Sequence, residues 1–200
     1  MKVKDNFILI KILDFCTKWH GDQKKKYTGE PYTVHLVDVA NKYLEYNPRA
    51  IINVTAALLH DILEDTKCTE KDICDFLFGI VNPDENNEKL FLQEDIEYIV
   101  TIVQELTNQY THKNYPEHNR KYRKILEAKR LWTISRPAQS IKYCDIIVNI
   151  RDIIDFDPEF ARVYIPEKKY ILQGMNKGNF DLYLETCHLI YVIGQELKEI

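Results

Sequence analysis

The sequence has no Cys-x-x-Cys pair, no long uninterrupted apolar run and no excess of basic charge. Its five cysteines (Cys16, Cys68, Cys74, Cys144 and Cys187) are scattered and odd in number. That argues against a disulfide framework or a zinc finger and suits reduced thiols in a cytoplasmic protein. The apolar stretch from Phe7 to Leu13 is broken by Lys11 and followed by Asp14, so it reads as neither signal peptide nor membrane span. A formal net charge of −4 provides no global basic field for nucleic acid or a membrane surface. Internal repeats and low-complexity tracts are missing. No segment alternates apolar and polar residues as a half-buried strand does, which leaves an all-α fold. With 200 residues, 45% of them apolar, one domain with a real core is within reach.

What is present centres on Ala56-Ala57-Leu58-Leu59-His60-Asp61-Ile62-Leu63-Glu64-Asp65-Thr66. On one helix, adjacent His60 and Asp61 project about 100° apart, close enough to hold one ion from one side. Glu64 follows His60, and Asp65 follows Asp61, by one helical turn. Metal ligands beside two spare carboxylates are what metal-assisted hydrolysis needs: the ion acidifies a water, and a carboxylate holds it and takes its proton. The plainer alternative is a C-terminal helix cap with solvated acids. Against it, the run Ala56 to Leu59 carries the pair toward the interior, where unpaired charge is costly.

The remaining chain reads as successive helices. Residues 5–19 carry Ile8, Leu9, Ile12, Phe15, Cys16 and Trp19 on one stripe, ended by His20-Gly21-Asp22. The basic loop Gln23 to Tyr32 follows. A lysine run is most often a solvated surface; directly before His35 and near an acidic metal site, it suggests a phosphate-bearing substrate. Thr33 is expected to cap the next helix, with His35 in its first turn. Helices are then expected over 49–63, from a Thr69–Asp72 capping box to about Phe78, and over 92–107, with a loop at Gly79–Glu88. The polar stretch 108–124, with His112 and His118, reads as a solvated segment or a lid over an anionic substrate. Arg136-Pro137 opens a helix running through Arg151. In it Asp145 and Asn149 share a face within an apolar run, making Asp145 a candidate for the last metal ligand. Asp157-Pro158 and Gly178 begin two further helices.

Three of these motifs together resemble the HD phosphohydrolase superfamily, and within it the alarmone hydrolases of the RelA/SpoT type. They are Gly29-Glu30-Pro31-Tyr32-Thr33-Val34-His35 with Val39-Ala40, His60-Asp61-x-x-Glu64-Asp65-Thr66, and Lys142-x-x-Asp145-x-x-x-Asn149-x-Arg151. The resemblance spans about residues 15–155. It implies an all-α HD-domain helical bundle over residues 1–155, with helices 156–200 packed on the same domain. Two hundred residues leave no room for the family's synthetase or regulatory domains, so a small stand-alone hydrolase is expected. The implied activity is removal of the 3′-pyrophosphate of (p)ppGpp, giving GDP or GTP and pyrophosphate, with one bound Mn²⁺. By the same carry-over His35, His60, Asp61 and Asp145 hold the metal, and Glu64 and Asp65 handle the attacking water. Lys25, Lys26, Tyr27, Thr28 and Asn149 bind the nucleotide.

The chain departs from the family around the substrate. A lysine, Lys25 or Lys26 depending on the direction of counting, replaces an arginine and loses its bidentate, planar contacts. Tyr27 offers a ring that can stack on a base. Leu36 stands where the family usually has proline, Ile146 replaces a basic residue, and Val148 replaces a polar or aromatic one. These changes keep open the same chemistry on another nucleotide (an adenosine alarmone, a deoxynucleotide or NADPH); a non-catalytic nucleotide-binding module is a further alternative, though no ligand or catalytic carboxylate of the motif is missing. His₂Asp₂ ligation itself suits several divalent ions. The expected partner is a small nucleotide, and the tyrosine-rich helices beyond residue 155 suggest an interface between copies.

Overall fold

The computed structural model describes residues 2–81 and 88–199. The loop expected over Gly79–Glu88 therefore lies largely outside the described residues. Among those described the architecture is helical; pairing of extended backbone is confined to an isolated bridge between Val81 and Lys89. No described helix is long and apolar enough to cross a membrane. The chain divides into two compact units, Met1–Gln23 with Pro31–Thr107, and Lys24–Glu30 with Asn108–Ile200.

The first unit contains α1 (Phe7–His20), α2 (Thr33–Tyr46), α3 (Ile51–Leu59), α4 (Ile62–Asp65), α5 (Glu70–Phe78) and α6 (Gln93–Leu106). Its centre is α3, where every residue from Val54 to Leu59 is fully buried. A helix apolar on all sides has no solvent face to present, and α1, α2 and α6 surround this one. Asn6 caps α1 by accepting from the amides of Ile8 and Leu9. Thr69 and Asp72 form the expected capping box on α5. In α1, Trp19 sits edge-on to Phe15, their ring centroids 6.2 Å apart.

Two expectations are corrected here. Thr33 is the first residue of α2 and does not cap it; the preceding Tyr32 occupies the cap position without a side-chain capping bond. The helix expected over 49–63 is interrupted. His60 ends α3, Asp61 begins α4, and the amides of Glu64 and Asp65 both donate to the Asp61 carbonyl.

The second unit contains the loop Lys24–Glu30 and helices α7 (Arg120–Leu131), α8 (Arg136–Phe156), α9 (Pro158–Leu172) and α10 (Phe180–Glu199). Here α8 is central, buried from Ala138 to Val148 and packed on α9 and α10, while α7 lies on α9. Ser135 caps α8 with Pro137 in its first turn, and Asp157 caps α9 ahead of Pro158. The boundary expected near residue 155 falls inside this unit, at the joint of α8 and α9. Gly174 packs directly against the Trp132 ring, whose Nε1 donates to the Ile171 carbonyl at 2.8 Å.

Candidate active site

In the first unit the end of α3 delivers His60 into the core at 1% exposure, and the first turn of α2 delivers His35 at 3%. Their rings lie 5.3 Å apart, and both turn Nε2 toward the same atom, Asp61 Oδ2: His60 at 3.0 Å and His35 at 3.7 Å. The break between α3 and α4 makes this convergence geometrically available. His60 Nδ1 lies 2.8 Å from the Ala57 carbonyl, so it carries the hydrogen and leaves the Nε2 lone pair facing Asp61. The capping alternative is thus part of the answer: His60 does end the helix, and its other nitrogen joins the cluster. The Tyr32 hydroxyl donates to Asp61 Oδ2 at 2.5 Å and fixes that carboxylate.

Glu64 and Asp65 stand on the single turn of α4. Asp65 has its pKa raised above the ordinary carboxylate value, chiefly by partial desolvation and then by the charge of Asp61. Gln23 opposes that rise by donating Nε2 to Asp65 Oδ2 at 2.9 Å.

In the second unit two lysines of the basic loop are paired with acids of that same unit. Lys25 Nζ is 2.9 Å from Asp152 and 3.7 Å from Glu30, its side chain 9% exposed. Lys26 Nζ pairs with Asp157 at 3.2 Å and lies over the Tyr27 ring, and the Tyr27 hydroxyl donates to the same Asp157 carboxylate at 3.0 Å. The Tyr27 ring runs nearly parallel to Phe156, with centroids 6.2 Å apart. The Thr28 hydroxyl donates to Glu30 at 2.9 Å. Gly29, with φ of 71°, permits the turn that returns the loop, and the Lys25 amide donates to the Glu30 carbonyl.

On α8, Asp145 is 5% exposed and accepts from Lys142 Nζ at 2.8 Å. Asn149, one turn on, donates its amide to the other Asp145 oxygen. Burial, then the like charge of Lys142, pushes the ammonium of half-buried Lys168 down to about 7.

The expected residues therefore fall into two groups. His35, His60 and Asp61 come together in the first unit, with Glu64 and Asp65 on the next turn. Asp145 with Asn149, and Lys25 with Lys26, Tyr27 and Thr28, lie in the second. Sequence reasoning gave no role to Tyr32, Gln23 or His20, nor to Asp152 and Asp157. Tyr32 was legible as part of the Pro-Tyr-x-x-His motif; Asp152 and Asp157 lie more than a hundred residues from the loop in sequence and left no local signal.

No protein-family model matches the chain. It is 32% identical over 201 residues to a probable guanosine-3′,5′-bis(diphosphate) 3′-pyrophosphohydrolase of Mycoplasma pneumoniae, an alignment covering 96% of this chain and 23% of that protein. It is 28% identical over 188 residues to human guanosine-3′,5′-bis(diphosphate) 3′-pyrophosphohydrolase MESH1, covering 90% of this chain and 92% of that one. A solved structure described as a metazoan ortholog of SpoT that hydrolyzes ppGpp and plays a role in starvation responses matches with a TM-score of 0.70. That match has 23% identity and covers 92% of this chain and 94% of the other. This is an HD-domain fold. The HD fold bears out the all-α expectation, and it does so over nearly the whole chain. Relative to the mycoplasmal protein, the HD-fold chain spans under a quarter of the length.

Proposed function

We propose that this chain is a metal-dependent 3′-pyrophosphohydrolase of guanosine alarmones, converting (p)ppGpp to GDP or GTP and pyrophosphate. The observation that carries the reading is the buried convergence of His35 and His60 on Asp61, with Glu64-Asp65 on the adjoining turn. Similarity to hydrolases named for that reaction, along 90% and more of the chain, supports it.

The residues fit a divalent ion. Two buried imidazoles and the partly exposed Asp61 carboxylate form a donor set, and the Nδ1 bond to Ala57 leaves His60 Nε2 as a ligand lone pair. By the resemblance to the alarmone hydrolases, Asp145 would be the fourth ligand and Mn²⁺ the ion. When bound, the ion supplies Lewis acidity that lowers the pKa of a water. Asp65, with Glu64 beside it on the turn of α4, is placed to receive the attacking water's proton. The water oxygen bonds to the phosphorus carried on ribose O3′, and the P–O3′ bond breaks. O3′ takes up a proton, and pyrophosphate departs with the new oxygen. Tyr32 holds Asp61 throughout.

Nucleotide binding falls to the loop and to Asn149. Asp152 counters the largely buried Lys25, whereas Lys26, though paired with Asp157, keeps its side chain 70% exposed, and Lys24 beside them is exposed as well. Tyr27 offers a face for the base and Thr28 a hydroxyl. Scattered thiols fit a cytoplasmic setting.

Pyrophosphate release from ppGpp, measured with and without Mn²⁺, tests the reading. Wild type is expected to turn over, with Asp65→Asn slower by about 100-fold or more. Intact ppGpp in both proteins sinks it. A second reading, the same hydrolysis on another nucleotide, is favoured by the acid-paired loop. ATP, dGTP and NADPH in the same assay decide between the two.

A further inference from the structure

The turn that follows α1 makes contacts that no catalytic or ligand role explains. His20, the last residue of α1, is 6% exposed. Its Nδ1 lies 2.8 Å from Gln23 Oε1, and Gln23 Nε2 donates to Asp65 Oδ2 at 2.9 Å. The backbone is closed as well: the Gln23 amide donates to the His20 carbonyl, and the Tyr32 amide donates to the Gln23 carbonyl. Gly21, with φ of 54°, supplies the bend. The His20 ring stacks on Tyr32 with centroids 5.1 Å apart, and Tyr32 holds Asp61.

Hydrogen-bond chemistry gives this chain a direction. An ionised Asp65 only accepts, so the Gln23 amide presents its NH₂ to Asp65 and its oxygen to His20. That oxygen also only accepts, so His20 carries its hydrogen on Nδ1. His20 Nε2 is buried with no hydrogen-bond partner among the described residues. A bare nitrogen lone pair tolerates that position better than an orphaned N–H would. Each link thus fixes the next, from a buried ring to a carboxylate standing at the surface.

We infer that Gln23, locked by His20, is a positioning residue that aims the Asp65 carboxylate at the attacking water. The inference rests on the proposed hydrolase reading. A single-turn helix constrains a side chain poorly, and two rotatable bonds separate the Asp65 oxygens from the backbone. The Gln23 amide ties one oxygen and leaves the other to take the proton. His20 removes the amide's freedom to flip.

The test combines kinetics with a signal that needs no turnover. With ppGpp and Mn²⁺, Gln23→Met is expected to lower kcat on the order of 10- to 100-fold while KM stays within about 2-fold. In an Asp65→Asn background the same substitution costs less than about 2-fold, because its target is already gone. His20→Leu follows Gln23→Met, and His20→Asn, which keeps a donor near Nδ1, recovers most of the rate. Losses that multiply in the double variant, or wild-type kcat in Gln23→Met, overturn the inference. Should Gln23→Met fail to fold, the His20 pair decides. Should wild type leave ppGpp intact, the substrate reading falls and the side-chain amide of Gln23 decides by NMR. Slowly exchanging, well-separated amide protons that collapse in Asp65→Ala support the link; spectra identical in the two proteins refute it.

Discussion

At Lys168 the ammonium rests 4.5 Å from the centroid of the Tyr164 ring, and its pKa falls to about 7. The unfolded side chain titrates near 10.4, to order of magnitude. Between these values the unfolded chain binds a proton that the folded chain lacks, so stability rises with pH across that window. Lys168→Met is expected to remove the slope and to be the more stable protein at neutral pH. Denaturant midpoints at pH 7 and pH 9, for both proteins, check it. No local pattern marked Lys168, since its shift arises from burial and from Lys142, a helix away in sequence. His60, Asp61, Glu64 and Asp65 were legible because four chemistry-bearing residues crowd one short apolar stretch. His35 and Asp145 were singled out as candidate ligands, Asp145 as an acid inside an apolar run, and their metal role comes from the resemblance. Lys25 was read as a cation for phosphate, and its acidic partner Asp152 was invisible at that distance along the chain.

Helix starts with a chemical signature were readable: Thr69 with Asp72, Pro137 in a first turn, Asp157 ahead of Pro158. Where the signature is absent, reading failed. The break between α3 and α4 has no proline or glycine, and both flanking residues keep right-handed helical angles; tertiary demands on His60 and Asp61 impose it. Helix α7 was passed over because arginines and lysines mask its narrow apolar stripe, although Asn119 caps it and Ala128 and Leu131 are buried. The turn between α9 and α10 yields a prediction of its own. A methyl group on Gly174 would overlap the Trp132 ring, and moving that ring breaks its bond to the Ile171 carbonyl. Gly174→Ala is expected to lower stability by about 2 kcal/mol, in line with overpacking, as read from the urea midpoint.

For the molecule as a whole, an ion that binds only the folded chain adds to its stability by mass action. At a hundredfold excess over Kd the gain is about 2.7 kcal/mol. In a chain of this size that is roughly 5–10 °C in Tm. Chelation of the metal-loaded protein is expected to lower the melting temperature by that amount, and Mn²⁺ to restore it. A His60→Ala variant should show neither response in a calorimetric scan. The fold class was legible because nothing in the sequence competes with the helical period. The division into two units was not, since it joins the loop 24–30 to helices far along the chain.

The sequence holds two tryptophans, Trp19 on α1 in the first unit and Trp132 beside Gly174 in the second. Each unit thus carries one tryptophan of its own. Trp19→Phe and Trp132→Phe turn the protein into a pair of single-colour reporters, each sensing the polarity around its own unit. Within each variant, an emission curve that coincides with the loss of far-ultraviolet circular dichroism means the halves melt as one cooperative body, and one that departs from it means one half outlasts the other.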